Sequence, residues 1–263
     1  MLTPPLVAAV MITGKDPARV PMALAAIESF HQQTYPNKIL IVIDTSGISS
    51  GLYMKGYGQL YGVLDGEDPV YVTAPDTSLG KLRNLGLERA GSANADYVIQ
   101  WDDDDYHHPE RITFQMSGIA KGYCTLLSNQ LRYDMIDNNA FNFAWTYDSC
   151  PGIPGTILHP VKNGLQYPET AKGEDEVFYK DHFEDRCIVL NNRLTPHMYV
   201  RMCHDTNTWA QAHIMHKMEG YGSVHNIWNL TREQAKYLSQ VLSKYYRLTS
   251  PGLNAHICEP AVA

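Results

Sequence analysis

Four consecutive aspartates, residues 102–105, are the part of this sequence whose residue type and spacing point most directly to chemistry. They follow an apolar run over residues 97–101 whose β-branched and aromatic residues predict a buried strand. Adjacent carboxylates repel one another, so a positive group is expected beside them. Carboxylate oxygens suit Mg²⁺ or Mn²⁺, and open α/β sheets bind ligands beyond the carboxyl ends of their strands. The run predicts a metal site that also holds an anionic ligand; the alternative is a solvated acidic turn.

The elements that must position these aspartates alternate between strand and helix. Apolar strands are predicted over residues 6–13 and 38–43, with a helix over residues 22–30 between them. A short strand over residues 69–72 and a helix over residues 79–90 then lead to the strand before the acidic run. This order predicts an α/β protein with a Rossmann-like, doubly wound mixed sheet.

The second half of the chain is less regular, but four of its features can be placed. They are a strand over residues 124–127, a hairpin over residues 131–143, three acidic residues at 174–176 that open a helix, and an apolar strand over residues 199–203 before His204. A last helix over residues 230–246 begins with a capping box formed by Thr231 and Gln234. We expect it to pack on the domain or to make an oligomer contact.

Composition narrows the class of protein. The 263 residues are 44% hydrophobic, enough for one substantial core, and the net charge of -7 favours neither nucleic acid nor an anionic membrane as a general partner. A local basic groove stays compatible with that total. The five cysteines are widely spaced without a CxxC pair, which favours reduced thiols. We see no signal peptide and no transmembrane run, so the expected location is the cytoplasm.

The order of motifs resembles that of family 2 glycosyltransferases with the GT-A fold. In that family a helix ends in Gln-Thr-Tyr-Pro-Asn, here residues 33–37, and the next strand ends in an aspartate, here Asp44. A helix with an Arg-Asn pair follows, here residues 83–84, and then Asp-x-Asp-Asp with Pro-Glu-Arg, here residues 102–105 and 109–111. The match covers roughly the first half of the chain. It departs from the family at Asp44, where Thr and Ser follow instead of Asp-Gly-Ser.

The resemblance implies a donor site in the first half of the chain. Its members would be Thr13, Gly14 and Asp44 around the base and ribose, Arg83 and Lys81 towards the diphosphate or base, and Asp103 as a ribose or sugar contact. Taken without the family pattern, Arg83 could equally be an exposed helix cation and Asp44 a turn cap.

The resemblance also implies a metal ion, Mn²⁺ or Mg²⁺, held by the DxD pair Asp102 and Asp104. Asp104 is the strongest candidate ligand of the two. Some GT-A enzymes complete the metal site with a late histidine, and His204 has the expected position. Imidazole is an acceptable Mn²⁺ ligand beside carboxylates, although a loop-packing role for His204 is an equal alternative.

Glu174 and Asp175 match the Glu-Asp motif that opens a helix in the family, where the aspartate is the general base. A carboxylate at a helix N-terminus is stabilised as an anion, and it can accept the proton of an attacking hydroxyl. The alternative is that these acids only favour the first turn of the helix.

Together with the family resemblance, these features imply a metal-dependent, inverting glycosyltransferase that moves a sugar from a nucleotide-sugar, by family habit a UDP-sugar, to an acceptor hydroxyl. The acceptor is a glycan, a protein, a lipid-linked sugar or a modified nucleic-acid base, without stable membrane insertion, and a homo-oligomer is compatible with the sequence. The alternative is a non-catalytic nucleotide- or glycan-binding protein on a degenerate GT-A scaffold. We expect a GT-A domain over residues 1–228, with a nucleotide-binding half (1–110) and an acceptor half (111–228), and a C-terminal helix and tail over residues 229–263.

Overall fold

The computed structural model describes residues 3–14, 16, 19–46, 69–145, 150–205, 207 and 227–249, and for 227–228 and 244–249 it describes the backbone alone. The expected C-terminal tail beyond residue 249 lies outside these ranges. Within them, no helix combines the length and apolar character that a membrane crossing requires.

The larger sheet has seven strands in the order β10-β6-β9-β4-β1-β2-β3. Its strands are β1 (Val7–Thr13), β2 (Lys38–Asp44), β3 (Val70–Thr73), β4 (Tyr97–Gln100), β6 (Cys124–Leu127), β9 (Leu158–Pro160) and β10 (Cys187–Leu190). β1 pairs in parallel with β2 and β4, whereas β9 runs antiparallel to β4 and β6. The sheet is therefore mixed, and β1 and β4 end at the same edge.

A second sheet of five strands has the order β12-β8-β7-β11-β5. Its strands are β5 (Tyr106–His107), β7 (Asn129–Asp134), β8 (Asn139–Ala144), β11 (Tyr199–Cys203) and β12 (Ile227–Trp228). β7 and β8 form the expected hairpin, and Asn138 in its turn has a φ of 49°. Because β5 follows the acidic run directly and pairs with β11, this sheet brings residues after β11 to the aspartates.

Five α-helices are described: α1 (Val20–His31), α2 (Leu79–Ser92), α3 (Arg111–Ser117), α4 (Glu174–Phe183) and α5 (Arg232–Thr249). α1 and α2 cover separate apolar clusters on the large sheet, while α4 covers a third that includes Phe178. α5 packs on the second sheet through Leu238 and Leu242. The capping box is present, since Thr231 N–H donates to Gln234 Oε1 at 2.9 Å and Gln234 N–H to Thr231 Oγ1 at 3.2 Å.

The α/β class and the mixed sheet confirm the fold expected from the sequence. Most boundaries agree within one or two residues, and the largest shift is at α5, which ends at Thr249. The seven-stranded sheet contains strands from both expected halves of the domain: β10, β6 and β9 come from residues 111–228 and lie on one side, and β4, β1, β2 and β3 come from residues 1–110 and lie on the other. The division at residues 110 and 228 stays a prediction.

Candidate active site

A cleft of about 360 Å³ lies beyond the carboxyl ends of β1 and β4. Thr13 and Gly14 border it after β1, and the four aspartates border it after β4. The start of α4 closes the opposite side with Glu174 and Asp175. The large sheet thus brings together segments that are far apart in the chain, at the edge where parallel strands of α/β proteins bind ligands.

Asp102 belongs to a buried ion-pair network with Arg83 and Glu174. Arg83 Nη2 donates to Asp102 Oδ1 at 3.0 Å, and Arg83 Nε donates to Glu174 Oε1 at 3.0 Å. The Arg83 side chain is 6% exposed and that of Glu174 is 4% exposed. Burial on its own lowers the pKa of Arg83, but the Asp102 and Glu174 carboxylates raise it above its ordinary value. Arg83 is therefore a buried cation that joins the end of β4 to the start of α4.

Asp103 and Asp104 share a second cation, Arg19, which immediately precedes α1. Arg19 donates to Asp103 Oδ1 and to Asp104 Oδ2, the latter at 3.0 Å. Burial raises the pKa of Asp103 to about 6, against the opposing effect of Arg19. The pKa of Asp104 is lowered despite burial, because His204 hydrogen-bonds it and Arg19 attracts its negative charge. The two neighbouring carboxylates therefore differ in their affinity for protons.

His204 lies beside Asp104, as the sequence predicts. Its Nε2 is 3.2 Å from Asp104 Oδ2, and the Asn207 amide donates to the same oxygen at 3.1 Å. His204 is 4% exposed. This contact spans 100 positions of the chain and depends on the pairing of β5 with β11. The placement brings the two candidate metal ligands together; whether they bind a metal stays a prediction.

Asp105 points away from this cluster into the protein. Its carboxylate accepts hydrogen bonds from the Tyr199 hydroxyl and from Met202 N–H, the latter at 2.8 Å. Burial and the neighbouring Asp104 raise the pKa of Asp105 well above its ordinary value. Arg201, which borders the cleft, attracts this carboxylate. Asp105 thus fixes the acidic run to β11.

The arginine of the Pro-Glu-Arg motif, Arg111, packs against the end of β4 on the side away from the cleft. Arg111 is fully buried, donates to Gln100 O at 3.2 Å and hydrogen-bonds His107. Its guanidinium carbon lies 5.4 Å from the Trp101 ring centroid and 5.1 Å from that of Tyr199. Burial lowers the pKa of Arg111 to about 10. The residue holds the end of β4 in place rather than contacting the cleft.

Asp175 occupies the first turn of α4, as the sequence predicts. Gly173, with a φ of 71°, makes the turn into the helix in the left-handed region that glycine adopts without strain. Burial and, to a smaller extent, the Glu174 carboxylate raise the pKa of Asp175 to about 7, although Arg83 acts in the opposite direction. A Cβ at Gly155 would lie 3.5 Å from Asp102 Oδ2 and 3.8 Å from Asp175 Oδ2. Asp102 and Asp175 therefore border the same small space.

Two predicted donor residues lie elsewhere. Asp44 is 2% exposed and accepts a hydrogen bond from Ser46 N–H at 2.6 Å, so its carboxylate caps the turn after β2. Lys81 faces outward and pairs with Glu169 at 3.1 Å. Neither residue borders the cleft, whereas Thr45, next to Asp44, does. Their predicted roles in donor binding gain no support from these positions.

Among the cleft residues that the sequence did not indicate are Arg19, Arg201 and Asn207, which lie beside the acidic run. Two of them carry signals that could have identified them. A cation at the start of a helix, as at Arg19, is unfavourable for the helix dipole and indicates a specific acidic partner. An arginine within an apolar strand, as at Arg201, indicates a buried counter-charge. Asn207 carries no such signal.

Some of the side chains in or beside the cleft are suited to bind a divalent cation. The carboxylate of Asp104 and the imidazole of His204 are acceptable Mn²⁺ ligands and already lie side by side. Across the described ranges, no group of three or more His, Cys, Asp and Glu side chains is arranged to hold a metal alone. Mg²⁺-type sites commonly use one or two carboxylates and take the remaining ligands from water and substrate phosphates. The residues therefore fit a metal that binds together with a phosphorylated ligand.

Comparison with known proteins identifies the fold. No protein-family model and no curated protein matches the sequence. Among solved structures, S. aureus TarS is similar, with a TM-score of 0.54 and 13% identity over 92% of this chain and 49% of TarS. TarS 1–349 in complex with UDP has a TM-score of 0.55 and 13% identity over 96% of this chain and 76% of that one. This chain thus spans about half the length of the longer TarS structure. Its fold is that of a GT-A glycosyltransferase.

Proposed function

We propose that this chain is a metal-dependent, inverting glycosyltransferase that transfers a sugar from a UDP-sugar to an acceptor hydroxyl. The observation that carries the proposal is the position of Asp175, which borders the same space as Asp102 beside Gly155. A carboxylate with a pKa of about 7 is suited to accept a proton at neutral pH. The UDP bound in TarS 1–349, a protein of similar fold, supports UDP as the nucleotide.

The chain's residues divide the reaction between them. Asp175 accepts the proton of the acceptor hydroxyl while the hydroxyl oxygen attacks the anomeric carbon of the donor. The bond from that carbon to the diphosphate oxygen breaks on the opposite face, so the configuration inverts. Arg201, at the edge of the cleft, adds positive charge where the diphosphate leaves.

Asp104 and His204 would hold the divalent cation, with Asp102 as the second acid of the DxD motif. When bound, the cation supplies positive charge that stabilises the leaving diphosphate. Glu174 acts differently from Asp175, because its carboxylate is already occupied by Arg83. We therefore assign proton acceptance to Asp175 and the orientation of Arg83 to Glu174.

The test is turnover of UDP-sugars with Mn²⁺, measured as release of UDP, in the natural chain and in Asp175→Asn. The substitution keeps the size of the side chain and removes the basic oxygen. We expect turnover to fall by at least about 10²-fold, the lower end of a general-base contribution. UDP affinity measured by calorimetry should stay within about twofold of that of the natural chain, because the residues predicted to bind the nucleotide belong to the first half of the chain.

Asp181→Asn is the matched control, since Asp181 is an exposed aspartate on the same helix. It should leave turnover unchanged. Near-normal turnover by Asp175→Asn would overturn the assignment, and so would a product that keeps the anomeric configuration of the donor. Absence of both UDP binding and turnover in the natural chain would overturn the proposed function itself.

A further inference from the structure

The segment of residues 161–173, here named the β9–α4 connection, leads into Asp175. Apart from Tyr167, its residues are exposed or half-buried. The Tyr167 ring stacks on Phe178, with centroids 3.9 Å apart and an angle of 8° between the planes. Phe178 lies four residues after Glu174 on α4, so the two share one face of the helix. The position of Tyr167 therefore affects where the start of α4 lies.

Asn84 on α2 holds the backbone of Tyr167 at both of its polar groups. Asn84 Nδ2 donates to Tyr167 O at 2.9 Å, and Tyr167 N–H donates to Asn84 Oδ1 at 2.7 Å. The asparagine side chain is short, and its amide group presents a hydrogen-bond donor and an acceptor in one plane. The paired bonds fix the orientation of Tyr167 as well as its distance from α2.

The adjacent part of α2 is shaped for the same contact. Gly80 N–H donates to Thr170 O at 3.1 Å. A Cβ at Gly80 would overlap the carbonyl oxygen of Pro168, so only glycine admits the connection at this distance. Arg83, next to Asn84, reaches Glu174 and lies 6.0 Å from the Tyr167 ring centroid. One turn of α2 therefore contacts both the β9–α4 connection and the helix α4 that follows it.

We propose that Asn84 is a positioning residue for the transfer step, acting through Tyr167 and Phe178 on the location of Asp175. The inference rests on the proposed function, in which Asp175 is the general base. Asn84 itself does not border the cleft in which donor and acceptor would bind. Its effect should therefore be on kcat, because a displaced base slows the chemical step while donor binding is retained.

The test is a double-mutant cycle with Asn84→Leu, Asp175→Asn and the double variant, assayed with the UDP-sugar that the natural chain turns over fastest. Asn84→Leu should lower kcat about 10- to 100-fold, with the KM for the UDP-sugar within about twofold of the natural value. In the Asp175→Asn background the same change should lower kcat less than about twofold, because no base remains to be displaced.

Asn84→Asp keeps the acceptor for Tyr167 N–H, loses the donor and is expected to lie between the natural chain and Asn84→Leu. It decides the question by the same criteria if Asn84→Leu does not fold. Glu169→Ala is the matched control, because Glu169 lies on the same connection but is exposed and outside the cleft. It should leave kcat unchanged.

The outcomes separate the two proposals. An unchanged kcat in a folded Asn84 variant, or an equal loss in the Asp175→Asn background, overturns the role of Asn84 and leaves that of Asp175 standing. A rise in donor KM that accounts for the whole effect also overturns it. Near-normal turnover by Asp175→Asn alone overturns the proposed base, and the role of Asn84 fails with it.

Discussion

Replacing Arg83 with methionine tests whether the network of Arg83, Asp102 and Glu174 stabilises the fold. Methionine keeps an unbranched side chain of similar length and removes the charge and every donor. The Glu174 side chain is 4% exposed and would be left as a buried carboxylate without its cation. The Asp102 side chain is 26% exposed and keeps a bond from Gln100 Nε2 at 3.1 Å, so water can replace Arg83 there.

The expected loss follows from that difference in exposure. Removing one partner of a buried pair costs about 3–5 kcal/mol, which we assign to Glu174. The partly exposed Asp102 adds less than about 1 kcal/mol. At about 2–4 °C per kcal/mol for a chain of this size, the main term alone lowers Tm by roughly 6–20 °C.

The assay is urea unfolding at pH 7 with thermal unfolding in parallel. Lys81→Met is the matched control, because Lys81 lies on the same helix and pairs with Glu169, while both side chains are about half or more exposed, at 49% and 63%. It should change stability by less than about 1 kcal/mol. An Arg83→Met loss no larger than that of Lys81→Met would refute the network as a source of stability.

Four further predictions concern protons and metal. Because a base must be ionised and the pKa of Asp175 is raised to about 7, kcat/KM should rise with pH and level off above about pH 8; a profile already level at pH 5 would contradict this. The folded chain holds this proton more tightly than the unfolded chain, where the pKa is 3.8, so Asp175 should contribute to a fall in stability as pH rises from about 4 to 7, and the fall should be smaller in Asp175→Asn. Asp104→Ala should abolish Mn²⁺-dependent UDP binding in calorimetry, and unchanged affinity would refute the site. A structure with Mn²⁺ and UDP should place His204 Nε2 at about 2.0–2.3 Å from the ion, and an imidazole turned away would exclude His204 as a ligand.

The sequence by itself determined the elements and the edge of the sheet where the site lies. Continuous apolar runs indicate strands buried on both faces, and such strands occur where helices cover a sheet. The acids at residues 174–176 and the Thr231–Gln234 pair indicated the starts of α4 and α5, because caps and first-turn charges act within a few residues. Such interactions are local, so the order of residues is enough to reveal them.

Only the tertiary structure decided which partner each of the four aspartates contacts. Neighbouring side chains leave the backbone in different directions, so Asp102 meets Arg83, Asp103 and Asp104 meet Arg19, and Asp105 turns inward to Tyr199. A cation was expected beside them from the sequence, but which arginines supply it depends on the packing of helices against the sheet, which brings Arg83 across 19 positions and Arg19 across 84 positions of the chain.

The paired hydrogen bonds between Asn84 and Tyr167 join residues 83 positions apart and follow from the same long-range packing. The Arg-Asn pair at residues 83–84 belongs to the family pattern, but nothing in the neighbouring residues indicates that Tyr167 is the partner of Asn84. Long-range contacts of this kind arise because the burial of apolar faces is the dominant driving force of folding. Polar groups that become buried in the process must then form hydrogen bonds with whichever groups the fold places beside them. Local patterns therefore predicted which residues could do chemistry, and the packing of the sheets decided which of them meet.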